Sequence, residues 1–255
     1  MVSISPTDAT ANTLAERLAA VRGNIAAACE RVGRPATSVT LVAVSKTHSA
    51  AAVLEAAASG QLAFGENRIE EASTKIPEVK AQTSATSPAL TWHMIGHIQS
   101  RKAQDVVAVF DWVHSLDTLK VAERCSHFAF ELHREIDALL EINVSGESSK
   151  GGFQASDWQQ GIEQRESLWN DIRRIIKLPG LRIQGLMCMA PIVEHMEQAR
   201  STFSALRVLR DALAADFPAA TWTTLSMGMT DDYPVAIEEG ATMVRIGRGI
   251  FGQRG

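Results

Sequence analysis

The sequence predicts a (β/α)8 barrel, an α/β fold of the TIM-barrel type, with one extra helix at the N-terminus. Short apolar runs alternate with helical stretches, the apolar runs number eight, and 255 residues are a usual length for one such barrel. Because eight strand and helix pairs nearly exhaust the chain, an open doubly wound sheet is the weaker alternative. The same reasoning predicts one domain over residues 1–255.

The extra helix is predicted from Ser5-Pro6-Thr7-Asp8, where an N-cap residue is followed by proline and then by a carboxylate in the first turn. Apolar residues then recur at spacings of three, four and seven, which is typical of one buried helix face. These residues are Leu14, Leu18, Val21, Ile25 and Val32. Gly33-Arg34-Pro35 is expected to end the helix.

Eight apolar runs after this helix are predicted to be strands. They cover residues 39–44, 61–64, 92–95, 112–115, 138–144, 182–187, 223–227 and 242–246. The intervening helical stretches are long enough to connect parallel strands. They include residues 50–59, 98–110, 119–132, 158–176 and 196–215.

Composition excludes several classes of protein. A formal net charge of -4 provides no general field for nucleic acid or for an anionic membrane. Cys29, Cys125 and Cys188 are widely spaced and lack a CxxC pattern, so neither a disulfide framework nor a zinc site is expected. Residues 1–11 lack the pattern of a leader peptide, and no segment approaches the roughly 20 apolar residues of a membrane span. These observations predict a cytoplasmic protein.

Lys46 follows directly on the apolar run 39–45. A lysine at the end of a buried strand can become a desolvated amine, as Schiff-base chemistry requires, although it can also simply extend into water. Strand alternation places Lys46 on the same face as Val42 and Val44. If that face points into the barrel, the amine lies at the C-terminal mouth, where barrel active sites are found.

The last two predicted strands end in glycine-containing loops, residues 225–230 and 244–252. Barrels often bind phosphate with the loops after strands seven and eight, and backbone N–H groups of glycine loops approach phosphate closely. Ser226 adds a hydroxyl group. A ligand with an aldehyde at one end and a phosphate at the other would join Lys46 to these loops, and pyridoxal 5′-phosphate (PLP) is such a ligand.

The chain resembles the pyridoxal phosphate homeostasis protein family, which is similar in fold to the N-terminal barrel of alanine racemase. The resemblance covers almost the whole chain, through VAVSKT (42–47), FGENR (64–68), WHMIGHIQS (92–100), NVSGE (143–147), GLM (185–187), LSMGM (225–229) and RIG (245–247). It implies that Lys46 holds PLP as a Schiff base and that Arg245 faces the pyridine nitrogen. It also implies that Asn67 and Met94 line the pocket and that the phosphate is surrounded by Ser226, Gly228, Gly247 and Gly249.

Two of the predicted site residues are arginines, Arg245 and Arg248. Many members of the family have a small hydroxyl residue where this chain has Arg248, whose guanidinium could replace that contact to phosphate or point outward. Arg245 can only donate hydrogen bonds, so a pyridine nitrogen beside it should stay unprotonated, which weakens PLP as an electron sink. The alternative is that Arg245 merely pairs with a carboxylate such as Glu66.

The resulting hypothesis is a monomeric, non-catalytic PLP-binding protein of cofactor homeostasis, with PLP-dependent apoenzymes as its candidate partners. The alternative is an amino-acid racemase, which needs a second acid/base. In alanine racemases a C-terminal β-domain of the partner subunit supplies that group. Here the sequence ends at Gly255. His93 and His97 are interpreted as pocket-wall or helix-start residues. A Schiff-base aldolase acting on a phosphorylated sugar without PLP is the third hypothesis.

Lys150 is either a second, weaker amine for PLP or a solvated loop charge, and Glu71 is predicted to lie on a solvated helix face.

Overall fold

A computed structural model describes residues 13–83 and 88–252. Nine α-helices lie in these ranges: α1 (Leu14–Arg31), α2 (Ala50–Ala58), α3 (Ile69–Gln82), α4 (Ala103–Val109), α5 (Leu119–Glu131), α6 (Ile162–Ile175), α7 (Arg200–Asp216), α8 (Tyr233–Glu238) and α9 (Arg248–Phe251). The same ranges contain nine β-strands: β1 (Thr40–Val44), β2 (Ala63–Glu66), β3 (Thr91–Met94), β4 (Trp112–Leu116), β5 (Ile136–Asn143), β6 (Phe153–Gln154), β7 (Leu181–Met187), β8 (Thr224–Ser226) and β9 (Met243–Ile246).

Eight of these strands close into a parallel barrel, which confirms the predicted fold class. The order around the barrel is β1, β2, β3, β4, β5, β7, β8 and β9, and pairing of β4 with β5 and of β9 with β1 leaves no open edge. Val42 pairs with Arg245 and Ala43 with Ile246 across the β1 and β9 junction. The open doubly wound sheet is therefore wrong for this chain.

The ninth strand is a short addition that the sequence pattern did not predict. β6 pairs in parallel with the end of β5, with Phe153 opposite Ile142. Two residues are too few to show a period of two, so such a strand has no sequence signal of its own. The predicted helix over 158–176 begins only at Ile162, after its N-cap Gly161.

α1 packs against α8 and α9, the two short helices that follow the last two strands of the barrel. Its N-cap is Thr13, whose hydroxyl accepts from the Glu16 N–H while the Glu16 carboxylate accepts from the Thr13 N–H, which forms a capping box. Leu14, Leu18, Val21 and Ile25 are buried as predicted, against α8 and α9. Val32 is 39% exposed beyond the helix end, so its assignment to the buried face was wrong. Residues 5–8 lie outside the described ranges.

The three cysteines are all buried and unpaired. Burial raises the pKa of Cys125 and of Cys188 to about 12, so these thiols are not activated as thiolates. Among the residues described, no helix is both long enough and apolar enough to span a bilayer.

Candidate functional site

A cavity of about 620 Å³ opens at the C-terminal mouth of the barrel, between the ends of β1, β2 and β9 and the loops after β7 and β8. This volume is typical of small-ligand sites. Five of the predicted site residues line it: Lys46, Asn67, Arg245, Gly247 and Arg248. Val44 also lines the cavity, which confirms that strand alternation places Lys46 on the inward face. Met189 and Met229 contribute apolar wall.

Lys46 is half-buried and occupies the second position after β1, directly behind Ser45. The next residue, Thr47, has a φ of 67°, which is unusual for a β-branched residue. The N–H of Thr47 donates to Oε1 of Glu71 at 2.6 Å, and the N–H of His48 donates to the Ser45 carbonyl oxygen at 3.0 Å. The chain therefore turns sharply at Lys46, and hydrogen bonds hold both sides of the turn.

Arg245 is the charged group at the base of the cavity. Its side chain is 5% exposed, and its Nη1 donates to the Ser226 carbonyl oxygen at 2.8 Å and to Ser226 Oγ at 2.5 Å. Its Nη2 donates to the Cys188 carbonyl oxygen at 2.9 Å. Guanidinium has five N–H donors, so two remain available for a ligand in the cavity. Burial lowers the pKa of Arg245, an effect that Cys188, Glu141 and Asp232 partly offset.

The alternative in which Arg245 pairs with Glu66 is wrong. Glu66 lies on the outer face of β2, where its Oε1 accepts from Lys75 Nζ at 2.8 Å and from Ser45 Oγ at 2.7 Å. Burial raises the pKa of Glu66, and its hydrogen bonds with Lys75 and Ser45 act in the opposite direction. Arg245 thus has no carboxylate in hydrogen-bond contact among the described residues, and its charge is stabilised by carbonyl oxygens.

Ser226 does not line the cavity as the resemblance implied. It is fully buried, and its Oγ lies 3.0 Å from His114 Nδ1 as well as 2.5 Å from Arg245. Because Arg245 can only donate, the Ser226 hydroxyl accepts from it, and the same hydroxyl is hydrogen-bonded to His114. His114 Nε2 and His93 Nδ1 share a hydrogen bond 2.9 Å long. A polar chain therefore runs from the cavity into the barrel interior.

The two histidines of this hydrogen-bonded series, His93 and His114, are neutral. Burial lowers the pKa of His93 to about 3, and burial with the nearby His93 and Arg245 holds the pKa of His114 well below its usual range. His93 stacks on Trp112 with ring centroids 5.6 Å apart, and its Nε2 has no hydrogen-bond partner. The interpretation of His93 as a pocket-wall residue was wrong, because strand alternation turns it into the barrel interior.

The loop after β8 is shaped by Gly228. This residue has a φ of +94°, and a Cβ there would lie 2.6 Å from the Ala236 Cβ and 2.9 Å from the Tyr233 Cα. Only glycine fits this position, because the backbone both turns left-handed and passes against α8. Asp232 Oδ1 accepts from the Met229 N–H at 2.6 Å and fixes the rest of the loop.

The loop after β9 contributes Gly247 and Arg248 to the cavity wall. Arg248 forms an ion pair with Asp231 of the neighbouring loop, and both side chains are exposed. Gly249 does not line the cavity, because it packs toward Ile246 and Val21, whose Cγ2 atoms would lie 3.1 Å and 3.5 Å from an added Cβ.

Asn67 lies on the cavity wall at the end of β2. Its Oδ1 is buried with no hydrogen-bond partner among the described residues. A Cβ on Gly96 would lie 2.2 Å from the Asn67 carbonyl oxygen, so glycine at 96 is required for the two loops to meet. Met94 is 2% exposed and lines an adjacent pocket that shares Asn67 with the main cavity.

Two buried carboxylates, Asp117 and Glu141, lie on the β4 and β5 side of the barrel. His97 Nδ1 lies 2.8 Å from Asp117 Oδ2, and the His97 ring is mostly exposed, on the adjacent pocket and not on the main cavity. Glu141 on β5 is 7% exposed, and burial together with Asp117 raises its pKa. The described residues contain no group of three or more histidine, cysteine or acidic side chains that could hold a metal ion.

Lys150 is not a solvated loop charge, which was one of its two interpretations. Its side chain is 16% exposed, and its Nζ donates to the Met189 carbonyl oxygen at 3.1 Å while pairing with Glu147 at 3.0 Å. The loop after β5 therefore reaches across to the loop after β7.

Sequence reasoning missed Lys75, and it placed Glu71 on a solvated face. Lys75 is 6% exposed and stands on the buried face of α3, beside Ala72 and Ile76. A lysine within an apolar stripe, four residues after Glu71, is the signal that could have revealed both residues, because only a paired lysine is stable in such a position.

Comparisons with known proteins agree with this fold and site. The family model described as alanine racemase, N-terminal domain, matches residues 17–255. The chain is 40% identical to the pyridoxal phosphate homeostasis protein of Pseudomonas aeruginosa, over 95% of this chain and 96% of that protein. The corresponding Escherichia coli K12 protein is 38% identical over 95% of this chain and 97% of its own length.

A solved structure of PipY from Synechococcus elongatus PCC7942, with PLP bound, superimposes with a TM-score of 0.78 at 37% identity, covering 94% of this chain and 100% of PipY. The fold and site thus define a barrel of the alanine racemase N-terminal domain class. Within that class, the chain belongs to the pyridoxal phosphate homeostasis protein family.

Proposed function

We propose that this protein binds PLP without turning over a substrate of its own, and serves the storage, delivery or regulation of the cofactor. The observation that carries the proposal is the juxtaposition of Lys46 and Arg245 on one cavity, at the ends of the paired strands β1 and β9. It is supported by the 40% identity to a pyridoxal phosphate homeostasis protein and by PLP in the related PipY structure.

The residues present fit PLP. Lys46 would hold the aldehyde carbon as a Schiff base, and the unused N–H donors of Arg245 would face the pyridine nitrogen. Gly247, with the backbone shape fixed by Gly228, would border the phosphate, and Arg248 would add a cation at the rim. The buried Asn67 Oδ1, which has no hydrogen-bond partner among the described residues, would be an acceptor for this ligand or for an associated water.

Bound PLP supplies an electron-withdrawing pyridine ring, which is strongest when the ring nitrogen is protonated. A guanidinium cannot accept that proton, so Arg245 favours holding the cofactor over carbanion chemistry. His93 is buried and neutral beneath the cavity, and His97 lies on the adjacent pocket. Neither histidine lines the cavity as a second acid/base would.

The proposal includes a cytoplasmic monomer that gives PLP to apoenzymes. Three unpaired cysteines support a reducing compartment. Sedimentation or size-exclusion with light scattering tests the monomer, and transfer of PLP to a PLP-dependent apoenzyme tests the partners.

The deciding experiment is absorbance of the purified protein from the near-ultraviolet to the visible, before and after addition of L- and D-amino acids, with enantiomer analysis of the same samples. A yellow Schiff-base band without enantiomer conversion is expected. Sustained conversion would establish the racemase hypothesis instead, with His97 as the first base to substitute, because Asp117 already orients its ring. A colourless protein that takes up no PLP would favour the aldolase hypothesis.

A further inference from the structure

Lys75 joins three groups behind the turn that carries Lys46. Its ammonium donates to the Ser45 carbonyl oxygen at 2.8 Å, to Glu66 Oε1 at 2.8 Å and to Glu71 Oε1 at 2.5 Å. An ammonium has three N–H bonds, so all of them are used. Lys75 is therefore satisfied as a structural cation and is not itself an amine for a ligand.

The two carboxylates extend this network to both peptide neighbours of Lys46. Glu66 Oε1 also accepts from the Ser45 hydroxyl at 2.7 Å, and Glu71 Oε1 also accepts from the Thr47 N–H at 2.6 Å. The Ser45 N–H donates to the Gly65 carbonyl oxygen at 3.0 Å. The backbone before and after Lys46 is thus fixed from the outer side of the barrel, away from the cavity.

The conformation of Thr47 needs such support. Its φ of 67° lies in the left-handed region, which β-branched residues rarely adopt. A strained residue of this kind persists only where surrounding contacts determine it. In this turn the contact is the Glu71 carboxylate, which Lys75 holds in place.

We propose that Lys75, Glu66 and Glu71 form a positioning cluster that holds the Ser45–Lys46–Thr47 turn and so fixes the direction in which the Lys46 amine enters the cavity. The effect on PLP rests on the proposed function. The cluster determines how slowly Lys46 releases its aldehyde ligand. Without the cluster the turn could relax, and the amine would no longer point at the ligand carbon.

Lys75→Met tests the cluster, with Lys80→Met as the matched control, because Lys80 stands on the exposed side of the same helix. In the PLP-loaded protein, release of PLP on dilution should be about tenfold faster for Lys75→Met and unchanged for Lys80→Met. In protein stripped of PLP, the Thr47 amide should exchange with solvent faster in Lys75→Met alone. Unchanged release and unchanged Thr47 exchange in a folded Lys75→Met protein would overturn the proposal.

Glu71→Ala keeps the proposal testable if Lys75→Met fails to fold, since the Glu71 side chain is 27% exposed. It should speed PLP release and Thr47 exchange in the same way. Adding Thr47→Asn should restore slow PLP release, because asparagine adopts the left-handed region more readily than threonine. No rescue would show that Glu71 acts otherwise than through the turn. If the parent protein binds no PLP, the proposed function fails, and Thr47 exchange then decides the cluster by itself.

Discussion

The Nη1 atom of Arg245 lies 2.5 Å from the Oγ atom of Ser226 and also donates to the Ser226 carbonyl oxygen. One residue of β8 therefore anchors the guanidinium of β9, and His114 anchors the hydroxyl from the far side of the barrel. The cation reaches the cavity already oriented, so a ligand does not have to order it. Pre-organisation of this kind lowers the free-energy cost of binding.

Arg245→Gln tests the guanidinium at the pyridine nitrogen. Glutamine is preferable to glutamate, because a carboxylate would face the carbonyl oxygens of Ser226 and Cys188. We expect a shifted absorbance band for bound PLP, affinity weaker by at least about tenfold, and a loss of unfolding free energy of about 2 kcal/mol. Ser226→Ala removes the hydroxyl contact and keeps the backbone carbonyl contact to Arg245, so it should cost about 1 kcal/mol and shift the band less. An unchanged band in Arg245→Gln would mean that Arg245 does not face the ring.

Lys46→Ala should abolish the covalent PLP link and change the unfolding free energy by no more than about 0.5 kcal/mol, because the side chain is only half-buried. Borohydride reduction followed by peptide mass spectrometry measures the link directly. Lys150→Ala is the control, and it should retain the label at Lys46. A reduced adduct that persists in Lys46→Ala would identify another amine, with Lys150 examined first because it lies on the loop after β5, facing Met189 of the cavity wall.

His93 should make the fold sensitive to acid. Its pKa is about 3 when folded against about 6.5 in the unfolded chain, so the unfolded state gains a proton first as the pH falls. The contribution of His93 to the free energy of unfolding is therefore complete above about pH 6.5. It falls below that pH, by about 2 kcal/mol at pH 5. Between pH 7 and pH 5, the unfolding free energy of His93→Gln measured by urea titration should fall by about 2 kcal/mol less than that of the parent protein. Parallel pH curves for the two proteins would contradict this account.

Two glycine substitutions should act in opposite directions. Gly228→Ala forces a methyl group to within 2.6 Å of Ala236 at a positive φ, and should destabilise the fold by about 2 kcal/mol while weakening PLP binding. Gly23→Ala, within α1, meets no atom within 4 Å and should stabilise the fold by about 0.5 to 1 kcal/mol. Chemical denaturation of both variants checks the pair. Equal stability of Gly228→Ala and the parent would show that α8 moves aside at little cost.

Much of the fold could be predicted because barrel strands and helices leave local periodic signals. The eight barrel strands fall within two residues of their predicted positions, as β2 does at Ala63–Glu66. For Lys46, the end of an apolar run predicted its place at a strand end and on the same face as Val44, while its burial and the direction of that face were left open. The two-residue β6 and the late start of α6 were not predictable, because neither changes the hydrophobic period.

The sequence by itself determined the order of strands and helices, the barrel, and the strand-end positions of Lys46 and Gly247, because each follows from local periodicity and from the geometry of parallel strands. The place of Arg245 at the site was implied by the family resemblance. Only the tertiary structure decided which partners the polar groups find. Ser226 is hydrogen-bonded to Arg245 and His114, and Glu66 is hydrogen-bonded to Lys75. Glu71 accepts a hydrogen bond from the Thr47 N–H. The physical reason is that a buried polar atom must pair with whatever other elements place beside it, and those elements are distant in sequence.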